Sequence, residues 1–175
     1  MKEQQIAVEM ADTRPEPSTG RLKFGEQFLI WSMRVWAQAH GGGQGHHHFA
    51  MLRKAYDLAG MPDGHVLFDS MMTAVVVSRR AQLGLHLPHC RGVSDDELLL
   101  LRLVAESQRG TLDDDLLLSV VARAGVDPVR EACDAMAAAL STAGMTVRSL
   151  EVVNRQDDGE VAQAAEAEPT PRIVH

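Results

Sequence analysis

Between Phe24 and Gly144 the apolar residues recur at three- and four-residue intervals, and glycine stops all but one of the six runs. The stops are the Gly41-Gly-Gly-Gln-Gly45 stretch, then Gly60, Gly110, Gly125 and Gly144. That spacing keeps apolar side chains on one face of an α-helix, whereas the faces of a strand alternate every second residue. Helices with one apolar stripe are stable only when the stripes pack together. The pattern predicts an all-α fold, a compact bundle of about six helices.

The start signals agree with the stops. Ser94 and Glu97 form an S-x-x-E capping box, in which the hydroxyl and the carboxylate each satisfy an orphan backbone N–H. Val93 and Leu98 supply the matching hydrophobic staple. This helix is predicted from Asp95 to about Gln108. Ahead of it, Phe24–His40 carries Phe28, Leu29, Met33 and Trp36 at helical spacing, and His46–Ala59 carries Phe49, Leu52 and Tyr56. Pro62 suits the first turn of a third helix running to about Gln82, with Phe68, Met71, Met72, Val75 and Val76 turned inward. Beyond Gly110, Thr111 is predicted to cap a fifth helix ending at Gly125. Asp127-Pro128 then opens a sixth with Val129, Cys133, Met136 and Leu140 on its inner face.

The period changes at the chain ends. Residues 1–22 are polar and punctuated by Pro15 and Pro17, and read as a flexible N-terminal tail. Thr146-Val-Arg-Ser-Leu-Glu-Val-Val153 alternates roughly by two and predicts a short strand near 146–153. Such a strand needs a partner, from Ile6–Met10 or a second subunit. Residues 154–175 are acidic and alanine-rich, the composition of a disordered tail. The single helical domain is therefore predicted to span 23–153.

A net charge of −7 argues against unspecific attraction to phosphate backbones or anionic lipid. No stretch reaches the roughly 18–20 apolar residues of a membrane span. Cys90 and Cys133 are the only cysteines, so no disulfide framework is implied and a reducing cytoplasm is the default compartment.

Three constellations bear on function. His40, His46, His86, His89 and Cys90 offer imidazoles and a thiol, the ligand types for a transition metal such as zinc. His86-x-x-His89-Cys90 sits in a proline-containing loop just before the capped helix. Cys90 is followed by Arg91, a cation that favours a thiolate, although Asp95, Asp96 and Glu97 oppose one. Trp31, Val35 and Trp36 broaden the apolar face of the first helix and mark it as central or as a contact surface. Lastly, Leu118-Ser-Val-Val-Ala-Arg-Ala-Gly-Val-Asp-Pro-Val-Arg-Glu-Ala-Cys133 resembles the helix-turn-helix segment of bacterial repressors. That resemblance implies a DNA-reading helix within 118–136, yet its outward positions would be Arg130, Glu131, Asp134 and Ala138, a poor set for base edges.

Phosphate-loop, nucleophile-elbow and H-E-x-x-H patterns are absent from the sequence. The expected function is therefore non-enzymatic, an adaptor or regulatory protein working through a protein partner or self-association. A metal- or thiol-dependent sensor or enzyme at His86, His89 and Cys90 is the first alternative, and a DNA-binding regulator the second.

Overall fold

The computed structural model describes residues 18–41, 45–79 and 81–148. Its six α-helices are α1 (Phe24–Gly41), α2 (Gly45–Leu58), α3 (Gly64–Ser78), α4 (Asp95–Arg109), α5 (Asp114–Val120) and α6 (Val126–Thr142). No strand occurs among the described residues. The all-α bundle read from the apolar period is the fold. α6 is its shared member, packed against α3, α4 and α5, while α1 packs on α2 and α4. One continuous core joins them, with Leu29, Met33, Tyr56, Phe68, Met72, Leu100, Val104, Val129, Met136 and Leu140 fully enclosed.

Local chemistry fixes most boundaries as the sequence suggests. Ser94 Oγ accepts from the Glu97 N–H at 3.2 Å, and Glu97 Oε2 accepts from the Ser94 N–H at 3.0 Å. Gly110 adopts a left-handed φ of 68° and ends α4, a conformation that costs glycine nothing sterically.

Four boundaries differ, three because a tertiary contact outweighs local preference and one, the start of α5, through local side-chain bonds. α3 ends at Ser78 rather than near Gln82. The Ser78 carbonyl accepts from Ala122 N–H at 2.9 Å, and Arg79 turns away to pair with Asp96 at 2.6 Å. The same contact ends α5 early. Val121 and Ala122 are extended, and Gly125 lies so close to Ser78 that a Cβ there would overlap the serine side chain. The N-cap of α5 is Asp113, whose Oδ1 accepts from Leu116 N–H at 2.8 Å, and not Thr111. Thr111 instead donates to Glu106 Oε2 at 2.6 Å.

The fourth difference lies at the chain ends. Ser18–Leu22, read as the end of a tail, belongs to the fold. Thr19–Arg21 is a 3₁₀ turn, Thr19 N–H donates to the Arg91 carbonyl at 2.9 Å, and Ser18 bridges Gly92. The described part of the predicted strand, Thr146–Arg148, pairs with side chains instead of another strand. Gln108 brackets it, donating to the Met145 carbonyl at 2.9 Å and accepting from Val147 N–H at 2.8 Å. Glu26 accepts from Arg148 N–H at 3.0 Å and from its Nε at 2.9 Å. Burial works to raise the Glu26 pKa, but its bonds to the Arg148 side chain and to the Lys23 and Arg148 N–H groups hold it below the ordinary 4.5. Residues 1–17 and 149–175, with the rest of the predicted strand, the predicted C-terminal tail and most of the N-terminal one, lie outside the described residues.

Candidate functional site

α1 carries one row of aromatic side chains that runs from the exposed Phe24 to Phe28 and Trp31, both half-buried at the edge of the core. Phe24, 67 % exposed, stacks at 6.0 Å on Phe28, which stacks at 6.2 Å on the half-buried Trp31. The positions 24, 28 and 31 follow the four- and three-residue steps that align side chains along a helix. Phe28 also meets Tyr56 of α2 edge-on at 4.8 Å, which anchors the row in the core.

Beside Trp31 lies a cleft of about 310 Å³, lined by Thr19, Gln27, Ile30, Trp31, Arg34, Pro88 and Cys90 among others. Its floor is Arg34, 1 % exposed although it is a cation in an apolar helix. Arg34 grips Glu97 through two bonds, Nε to Oε1 at 2.7 Å and Nη2 to Oε2 at 2.8 Å. It also donates to the carbonyls of Cys90 and Gly92, both at 2.6 Å. Glu97 takes a further bond from His86 N–H at 3.1 Å. Burial alone would raise the Glu97 pKa, yet the guanidinium and these backbone donors keep it below 4.5, so the pair stays ionised. The clamp thus moulds the 86–92 loop onto α1 and α4. From the sequence Glu97 reads as a capping residue and as a charge opposing a thiolate, and Arg34 has no assigned role. A lone arginine inside the apolar run Trp31–Trp36 was the available signal.

The predicted ligand residues separate into groups. His86 and Cys90 come together, with Sγ 3.6 Å from Nδ1. That nitrogen also lies 3.1 Å from the Gly92 carbonyl, so the carbonyl and the sulfur share one ring nitrogen, whose role follows the tautomer. His89 is exposed on the loop. His40 donates to the Trp36 carbonyl at 3.0 Å, with its ring 3.9 Å from the Trp36 ring and 5.2 Å from Phe49. His46 is exposed in the first turn of α2. Among the described residues no three His, Cys, Asp or Glu side chains are grouped to hold a metal ion, because helix packing spreads the five candidates over two regions.

The predicted contact residues divide too. Trp31 is half-buried on the aromatic row. Val35 and Trp36 are 2 % and 6 % exposed and belong to the core, where Trp36 Nε1 donates to Asp69 Oδ1 at 2.7 Å. Cys133 is enclosed, and burial pushes its thiol up to about 12. Phe24 and Phe28 complete the row, and are visible in sequence as aromatic residues one helical turn apart.

In the helix-turn-helix-like segment, α5 has only seven residues and a 3₁₀ turn separates it from α6. Arg130 is held by Asp114 at 2.5 Å and by the Leu112 carbonyl, while the exposed positions of α6 include Asp127, Glu131 and Asp134. That surface repels a phosphate backbone. No helix is long and apolar enough to cross a membrane among the described residues. No protein-family model matches the chain, and no curated protein or solved structure matches it.

Proposed function

We propose that this chain is a non-enzymatic protein-contact module, with an adaptor or regulatory role, and that it works through the aromatic row of α1. The supporting observation is Phe24, a large apolar side chain 67 % exposed at the head of a stacked row. Aromatic side chains that are rigid, exposed at one end and anchored at the other are the typical carriers of contact energy. Burying a phenylalanine side chain contributes about 1.5–3 kcal/mol. Phe24→Ser should therefore weaken the contact at least about tenfold, while thermal unfolding stays near that of the native protein. The measurement compares proteins retained by the immobilised full chain and by the variant, with sedimentation of each to register self-association. If neither the retained set nor the sedimentation changes, the reading is wrong.

A thiol-dependent sensor is the second reading, favoured by the placement of Cys90 at the cleft within 3.6 Å of His86. Access from the cleft and a polar neighbour beside the sulfur set how readily a thiol reacts. Iodoacetamide at neutral pH should then modify Cys90 and spare the enclosed Cys133, and His86→Ala should slow that reaction. Equal rates in both proteins would leave Cys90 an ordinary thiol.

A further inference from the structure

Residues 18–34 and 83–94, which carry the aromatic row and line its cleft, contain a single acid in a chain of net charge −7. That acid is Glu26, buried and bonded to Arg148 and Lys23. Arg21, Lys23 and Arg91 are exposed on the same segments and form no ion pair among the described residues. Arg21 and Arg91 flank the joint made by Thr19 N–H and the Arg91 carbonyl. The surface therefore combines stacked aromatics with uncompensated cations, which fits an acidic partner that also carries apolar side chains.

One such segment is part of this chain and leaves the fold beside that surface. Arg148, the last described residue, is tied to Glu26 in the first turn of α1, two positions from Phe24. Residues 157–168, Asp-Asp-Gly-Glu-Val-Ala-Gln-Ala-Ala-Glu-Ala-Glu, hold five acids, no base, and Val161, Ala162, Ala164 and Ala165 between them. The nine residues from Arg148 to Asp157 reach at most about 30 Å. The row from Phe24 to Trp31 is about 10 Å long. The linker is ample.

We infer that the aromatic–basic face of α1 is the docking site of the chain's own acidic segment, residues 157–168, which covers it in cis until a partner displaces it. The inference rests on the reading of this face as a contact surface. Tethering raises the local concentration of the segment far above that of a free competitor, so weak contacts suffice. An external partner must then outcompete the segment, which sets a threshold for binding.

The test uses the full chain and acrylamide quenching of tryptophan emission. Trp36 is enclosed, so quenching reports Trp31. Asp157→Asn, Asp158→Asn, Glu160→Gln, Glu166→Gln and Glu168→Gln together should raise the quenching constant and move emission to longer wavelength. About 1 M sodium chloride, which cuts the screening length to about 3 Å, should do the same to the native chain. Reversing Arg21, Lys23 and Arg91 to glutamate should match the neutral segment, with circular dichroism to register the fold. Replacing the five acids with lysine in that reversed protein should restore protection. An unchanged quenching constant in the neutral-segment chain overturns the inference. Protection that disappears on dilution assigns the face to a second copy and overturns it equally. If quenching behaves as expected but Phe24→Ser retains every partner, only the contact-module reading fails.

Discussion

Glu97→Ala should destabilise the fold by about 3–5 kcal/mol, because removing one partner of a buried pair strands the other as an uncompensated charge. Arg34 would keep only the Cys90 and Gly92 carbonyls, and the His86 and Ser94 N–H groups would lose their acceptor. Urea unfolding followed by far-ultraviolet circular dichroism measures the loss as a shift in midpoint at constant slope. A loss below about 1 kcal/mol would mean that water replaces the carboxylate and that the clamp contributes little.

The same residue sets an acid limb. Glu97 has its folded pKa held below 4.5 by Arg34 and the backbone donors, against the opposing effect of burial. A depressed carboxylate contributes stability that is fully present above its unfolded pKa and is lost as pH falls through the lower folded value. The native protein should therefore lose stability as pH drops from about 5 downward. The gap between native protein and Glu97→Gln should close over the same range. Glu26 shifts in the same direction, so the variant keeps part of the slope.

Phe68→Ala is the second large effect, about 3–5 kcal/mol from lost transfer energy and a residual cavity. Phe68 is fully enclosed on α3, its ring 5.9 Å from that of Tyr56, which in turn carries Phe28. Phe24→Ala, the same change on the exposed end of this connected set of rings, should cost no more than about 0.5 kcal/mol. Parallel urea curves for the two proteins distinguish ring burial from ring display. Equal losses would place Phe24 in the stability of the fold and remove it from the contact surface.

What could be read from sequence divides along a physical line. The capping box at Ser94 and Glu97, the left-handed stop at Gly110 and the inner stripe of α6 depend on residues within a turn of each other. They were legible for that reason. The early end of α5 was not, because Ala122 is drawn to Ser78, 44 positions away in the chain. Arg34 and Glu97 are separated by 63 residues, so the clamp that shapes the candidate site leaves no spacing to recognise. His86 and Cys90, four apart, were expected together and are adjacent. His40 and His46 were grouped with them only as imidazoles of the same ligand type, which says nothing about where the helices place them. The aromatic row was half seen. Trp31 lies half-buried on the row, whereas Val35 and Trp36 lie on the side of α1 that the bundle closes over.

The joints of Thr19 to Arg91 and of Arg148 to Glu26 hold both ends of the folded unit at the start of α1. A unit whose incoming and outgoing strands of polypeptide share one pole can be spliced into a host protein without prying the host apart.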